Sequence, residues 1–183
     1  SKEDIRKKEY AIVVEGYLDY LQLYQAGIKN VVAVSGTSFT EEHAKLIKRF
    51  CKKIYMAYDG DTAGVSAAIR AGYILIKFGL EPKIITIPNG KDPDDWVKEE
   101  GVEPFNNAIK KASGLLEFHV QNTRHDISGP TGMSQFIQRV ITDLVQIEDP
   151  VLRELHTRSL ASITGVSEES IFQSLSNLLQ KKN

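Results

Sequence analysis

Ile54-Tyr55-Met56-Ala57-Tyr58-Asp59-Gly60-Asp61-Thr62-Ala63-Gly64 is the stretch on which the fold is read. An apolar run stops at two aspartates one residue apart, and a helical pattern begins at once. Packing asks for no acid there. Two like charges about 4 Å apart repel by roughly 4 kcal/mol at an effective dielectric of about 20, so such a pair holds a cation or shares a proton. Working outward, Glu15 ends the apolar run Ala11-Ile12-Val13-Val14, and Asp92-Pro93-Asp94-Asp95 follows a third run. These acids are expected to converge on a divalent metal that serves phosphate chemistry.

Around that centre, short runs rich in Val and Ile alternate with helical periodicity. Strands are expected at 11–14, 31–34, 54–58 and 84–87, with helices at 17–26, 41–51 and 62–78. Such alternation predicts an α/β fold with a mostly parallel sheet flanked by helices. Val65, Ala68, Ile69, Gly72, Tyr73 and Ile76 form the apolar stripe of the third helix. After residue 100 no strand-like run is seen, and helices are expected at 103–111, 113–125, 131–147, 150–163 and 168–181. Asp149 before Pro150 reads as an N-cap with proline at N1, and Ser167 as a further cap. The expected layout is a catalytic α/β domain over 1–101 and an all-α helical subdomain over 102–183.

In a parallel sheet the ligand site lies beyond the carboxyl ends of the strands. Glu15, Ser35-Gly36-Thr37, Asp59-Gly60-Asp61 and Pro88-Asn89-Gly90-Lys91-Asp92 all follow strands directly. Carboxylate oxygens suit hard Mg²⁺ or Mn²⁺, which keep water and take substrate phosphate. Two such ions would activate a 3′-hydroxyl and clamp a triphosphate. Gly36, Gly60 and Gly64 would let backbone approach a phosphate closely. Plainer roles stand beside these: Asp61 and Asp92 as helix caps, and Asp19 as an acid in a helix's first turn.

The remaining composition narrows the field. Over 183 residues the net charge is −1, which carries no basic signature for nucleic acid along the chain as a whole. One cysteine, Cys51, makes neither an internal disulfide nor a zinc-ligand pattern, so no zinc is expected, and a reducing compartment is the natural reading. No apolar run approaches the length of a membrane span. The chain opens on Ser1 and a charged run, which reads as a piece cut from something longer. His43, His119, His125 and His156 have no ligand spacing, and Trp96 and the Tyr17/Tyr20/Tyr24 set read as packing. The helix-turn-helix spacing around Gly165 and Ile171 offers Glu168 and Glu169 where a reading helix needs base or amide, so it is fold geometry only.

Glu15-Gly16-Tyr17-Leu18-Asp19, Asp59-Gly60-Asp61-Thr62-Ala63-Gly64 and Gly90-Lys91-Asp92-Pro93-Asp94-Asp95 fall in order, and together they resemble the Toprim domain of bacterial replicative DNA primases. Asn30 to Thr37 resembles that family's second strand and loop, and the helical remainder is similar to the subdomain that follows it. The resemblance implies that Glu15, Asp59 and Asp61 are catalytic metal-binding acids, that Asp92 and Asp94 join the metal site, and that Asp19 supports it. Gly16, Gly36, Gly60 and Gly64 are the expected points of phosphate approach. It further implies synthesis of short RNA primers from ribonucleoside triphosphates on a single-stranded DNA template, in the bacterial cytoplasm, with Mg²⁺ or Mn²⁺. The rest of the primase chain would grip the template. The domain that binds the replicative helicase is expected to be absent, and the chain alone to prime poorly.

Two other enzymes share parts of this pattern. A haloacid-dehalogenase-like phosphatase would use Asp59 as nucleophile, but Ala63 stands where that pattern has Thr or Val, and Glu15 has no task. A Toprim nuclease would cut DNA with the same acids. A non-enzymatic assembly module with vestigial acids is the third alternative.

Overall fold

The expected alternation of strands and helices is realised in a computed structural model, which describes residues 2–125 and 127–182. Helix α1 (Lys2–Lys8) precedes β1 (Tyr10–Val14), α2 (Tyr17–Gln25), β2 (Val31–Ala33), α3 (Glu41–Ile47), β3 (Lys53–Ala57), α4 (Thr62–Lys77) and β4 (Glu81–Ile84). These are followed by α5 (Pro93–Glu100), α6 (Val102–Lys110) and β5 (Ser113–Gly114). The strand order is β2-β1-β3-β4-β5. All pairings are parallel except β4 with β5. Val14 lies beside Ala33 on one side and Ala57 on the other. That register brings the residues after β1, β2 and β3 out at one edge.

Both sheet faces are covered, which is why the strands read as continuous apolar runs. Ile12, Val14 and Ala57 pack with Leu23, Trp96, Val97 and Phe105 from α2, α5 and α6. On the other face Ile54 and Met56 are fully buried, and Val13 shares an apolar pocket with Ile5 of α1 and Ile47 of α3. Of the expected stripe on α4, Ala68, Gly72, Tyr73 and Ile76 are buried, and Ala71 and Leu75 join them.

Three differences from the sequence reading have local causes. The fourth strand lies at Glu81–Ile84 rather than 84–87, and it accommodates Pro82. Glu81 donates its N–H to the Lys52 carbonyl just before β3 and Ile85 to that of Met56 within it, so by the period of two the Pro82 nitrogen faces the opposite edge. There β5 reaches only Lys83 and Ile84, and no ladder bond is lost at the proline. Ser113–Gly114, expected inside a helix, is instead that two-residue antiparallel strand. Helix α1 was not expected from its charged sequence; it is held by one buried side chain, Ile5.

The chain forms two compact units, Ser1–Leu115 and Leu116–Asn183. The boundary falls after the expected residue 101 because α6 and β5 belong to the sheet unit. Phe105 is fully buried, with its ring 5.8 Å from that of Trp96. In the second unit, α7 (Leu115–Asn122), α8 (Gly129–Leu144), α9 (Pro150–Thr164) and α10 (Glu168–Lys182) bury Phe136, Val140, Ile141, Leu144, Leu160 and Ile171. Asp149 caps α9 through the N–H groups of Val151 and Leu152, at 2.9 and 3.2 Å. His119 packs against Phe136 at 4.9 Å, and burial pushes its imidazole down to about 4. Among the described residues no helix is long and apolar enough to cross a membrane.

Trp96 is the chain's one tryptophan and reports the sheet unit. Phe105→Ala is expected to destabilise that unit by about 3–5 kcal/mol through the cavity it leaves. A lower urea midpoint of the Trp96 fluorescence transition checks this; an unchanged midpoint would detach α6 from the sheet.

Candidate functional site

At the carboxyl edge of the sheet, four of the acids meet a backbone N–H: Glu15, Asp19, Asp61 and Asp92. Glu15 leaves β1 and its Oε1 accepts the Asp59 N–H at 3.3 Å, which ties the end of β1 to the end of β3. Asp19, in the first turn of α2, is 5% exposed and bridges two elements. One oxygen accepts from the Gly16 N–H at 3.0 Å and the other from the Asp94 N–H at 3.1 Å. Asp61 caps α4 through the Gly64 N–H at 2.7 Å, and Asp92 caps α5 through the Asp95 N–H at 2.7 Å. The capping roles of Asp61 and Asp92 are thus present in the fold, with one oxygen of each engaged.

Glu15, Asp19, Asp59, Asp92 and Asp94 line one open cavity of about 1000 Å³. Asp61 is not in its wall but stands near enough for its charge to act on Asp59. Burial, then the charges of Glu15, Asp19, Asp92 and Asp61, push the Asp59 carboxyl up to about 6. Burial likewise raises Asp19, against the pull of its two N–H partners. Asp94 has the nearest cation, Lys98, at 2.5 Å, while Lys91 is held by Glu99 and Glu100 at 2.8 and 2.7 Å.

The side chains of Glu15, Asp59 and Asp61 do not form one tight triplet. Among the described residues, the three carboxylates whose oxygens come within 4.8 Å of one another are Asp92, Asp94 and Asp95, at the N-cap and in the first turn of α5. The reason is local: Glu15 is turned to the Asp59 N–H and Asp61 to its cap. The donor set nevertheless fits a hard divalent ion. It is all oxygen, its charge exceeds what nearby lysines balance, and the buried Tyr58 hydroxyl on the same wall has no hydrogen-bond partner among the described protein atoms.

The glycines divide. A Cβ on Gly60 would run into the Pro88 carbonyl oxygen, and one on Gly64 into the carbonyl of Asp59. Their smallness answers backbone packing beneath the acids rather than open approach to a phosphate. Gly36, with φ +77°, has free space around it and lines the cavity with Gly16. Sequence reasoning missed Arg70 and Tyr58. Arg70 had a signal: Ala63, Ala67, Arg70, Ala71 and Ile74 recur at helical spacing and all face the cavity. Tyr58 had none, because its hydroxyl is placed by the fold.

With this geometry in hand, known proteins can be set beside it. Residues 12–97 match the family described as Toprim-like, and residues 117–169 match the DnaB-helicase binding domain of primase. The DNA primase of Clostridium acetobutylicum is 36% identical over 171 residues, covering 93% of this chain and 29% of that protein. The Aquifex aeolicus DNA primase is 37% identical over 158 residues, covering 86% and 32%. The chain belongs to the bacterial DNA primase family. Solved structures agree: a primase domain from Pseudomonas aeruginosa matches with TM-score 0.82 and 34% identity over 96% of this chain and 56% of that one. A primase catalytic domain described as bound to ssDNA matches with TM-score 0.75 and 30% identity, over 88% and 53%. The chain spans about a third of the length of these curated primases or less. Primase relatives set aside the phosphatase and nuclease readings. One expectation is overturned: the helicase-binding domain, expected to be absent, has its family match within residues 117–169.

A raised folded-state carboxyl penalises the native state once it ionises. Asp59 costs nothing below its unfolded value of 3.8, and the penalty grows as pH rises through about 6. Discounted for its partial exposure to solvent, this is about 1 kcal/mol at neutral pH. In metal-free protein, Asp59→Asn is expected to raise Tm at pH 7.5 and to leave it unchanged at pH 3.5. A thermal melt at both pH values checks this; equal shifts would remove the electrostatic cause.

Proposed function

We propose that this chain supplies the metal-binding acids of a DNA primase, which joins ribonucleoside triphosphates into short RNA primers on a single-stranded DNA template. The observation that supports this most directly is the meeting of Glu15 and Asp59 across the β1–β3 edge, at 3.3 Å, on the wall of an open cavity ringed by carboxylates. Glu15, Asp59 and Asp61 hold the catalytic Mg²⁺ or Mn²⁺, with Asp92 and Asp94 completing the metal site. When bound, such ions polarise phosphoryl oxygens and lower the pKa of an attacking hydroxyl. Asp19 acts behind them: by gripping Gly16 and Asp94 it holds α5 against α2. Gly36 leaves backbone open on the wall where phosphate would lie, while Gly16 lines the same wall with its N–H taken by Asp19.

The template, the triphosphates, the growing primer and the rest of the primase chain are the partners of this reading, in the bacterial cytoplasm. The replicative helicase is a further partner, met by residues 117–169. Within that segment Val151 and Leu155 are 65% and 56% exposed and lie one turn apart on α9, an apolar face that a partner helix would cover.

Mn²⁺ titration followed by electron paramagnetic resonance tests the metal site. The chain is expected to bind Mn²⁺, and Asp59→Ala and Glu15→Gln to weaken it at least about tenfold, the loss of one charged ligand. Residues 1–183 alone are expected to make little or no primer; robust synthesis by them would be the wrong outcome for this assignment. For the helicase contact, Leu155→Asp is expected to abolish co-elution with the helicase while the circular dichroism spectrum is unchanged. Unimpaired co-elution would move the contact elsewhere.

A further inference from the structure

Exposed apolar surface concentrates on α2, at the mouth of the acid cavity. Of the six large hydrophobic residues exposed among those described, three are Tyr17, Leu18 and Tyr24, with 60%, 66% and 38% exposure. Their arrangement is specific. The rings of Tyr17 and Tyr20 stack with centroids 6.0 Å apart and planes 18° from parallel; those of Tyr20 and Tyr24 stack at 5.7 Å and 28°. Tyr20 is half-buried and packs onto the core of the sheet, so the middle rung is fixed to the scaffold. Tyr17 lines the cavity together with Glu15 and Asp59. At the far end, the Lys29 ammonium lies 6.0 Å from the Tyr24 ring centroid.

We propose that the Tyr17–Tyr20–Tyr24 ladder is a stacking platform for the bases of a single-stranded nucleic acid entering or leaving the carboxylate cavity. The proposal deepens the primase reading and rests on it. A platform needs aromatic faces in near-parallel array on a rigid element, open to solvent and leading to the reacting groups, and α2 provides these with Tyr17 and Tyr24 exposed and Tyr20 as the half-buried rung between them. Tyr17 and Tyr24 are seven residues apart, about 10 Å along the helix, which is about three base steps of 3.4 Å in a stacked strand. A duplex is a poor fit, because its base faces are already stacked within it. The acids at the cavity repel phosphates, so holding the strand by its bases places it beside them without relying on charge. Lys29 supplies a cation only at the far rung, where a phosphate would clear the carboxylates.

The test uses the 183-residue chain with a fluorescein-labelled twelve-residue oligo-dT, read by anisotropy with and without Mn²⁺. Tyr17→Ala and Tyr24→Ala are each expected to weaken binding about tenfold, and the double variant more, as the loss of a stacked base predicts. Tyr17→Trp is expected to bind as well as the wild type or better. An abasic strand of the same length should bind the wild type as weakly as oligo-dT binds the double variant. An oligo-dT affinity of the double variant within twofold of wild type would overturn the proposal. So would equal binding of abasic and dT strands, or no binding of oligo-dT by the wild type at about 0.1 mM protein, the weak end of nonspecific binding. Sedimentation of both proteins covers the other occupant: self-association that the double variant loses, with unchanged oligo-dT affinity, would assign the ladder to a second copy of the chain. Mn²⁺ titration of the same samples separates the two readings. Mn²⁺ binding with no ladder effect sinks only the platform, and a ladder effect without Mn²⁺ binding sinks only the acid site.

Discussion

Carboxylates crowd one edge of this sheet, and what allows the chain to fold around them is the supply of backbone N–H groups at that same edge. A parallel sheet with crossover helices sends strand carboxyl ends and helix N-termini to one side. The orphan donors of each first turn then face the acids. Asp61 takes the Gly64 N–H, Asp92 the Asp95 N–H, and Asp19 those of Gly16 and Asp94. Glu15 takes the Asp59 N–H from the turn after β3. Hydrogen bonds to a charged acceptor are roughly twice as strong as neutral ones. They keep the acids ordered, but they do not remove the repulsion between them, and Asp59 carries what is left. The edge is therefore stable yet electrostatically loaded, a state that a bound cation relieves.

The same constraint explains the glycines. For Asp59 and Asp61 to sit one residue apart at the start of α4, the chain must turn tightly under them. The Asp59 carbonyl presses on Gly64, and the Pro88 carbonyl on Gly60, leaving no room for a Cβ at either position. The Gly60 N–H is held by the Lys91 carbonyl at 2.8 Å, which joins this turn to the loop that carries Asp92. The acidic turns after β3 and β4 are thus one packed unit. Displacing either would displace the other.

Much of this was legible from residue pattern alone. The apolar runs ending at Glu15 and Asp59, and the stripe on α4, determined the sheet's direction and the edge on which acids gather. What pattern could not supply was the partner of each oxygen. Asp61 and Asp92 look alike as ligands and as caps because the same carboxylate does both with different oxygens. Asp19 looks like a residue answering a helix dipole, and its grip on Asp94, 75 positions away, is a tertiary fact. The shift of β4 escaped because Ile84, Ile85 and Ile87 are all buried and their apolar run outlasts the ladder. The tyrosines of α2 have the spacing of a packing stripe. Only the orientation of the helix shows Tyr17 and Tyr24 turned outward.

The shape of the cavity follows from the other side of α4. Ala63, Ala67 and Ala71 stand where larger side chains would fill the space facing the acids. That face adjoins the buried stripe of the same helix, with Ala71 belonging to both, so α4 supports the sheet along one stripe and keeps a void open beside it. Pockets for small molecules run to about 1000 Å³ and are mostly enclosed and apolar. This one is as large, open to solvent, and ringed by carboxylates with Arg70 on its wall. Its chemistry suits a charged, extended ligand that passes through with cations beside it, and an apolar small molecule would find no enclosure there and carboxylates along part of the wall. The alanines are as much a part of the site as the acids, since a wider side chain on that face would close the path before any change in charge could matter.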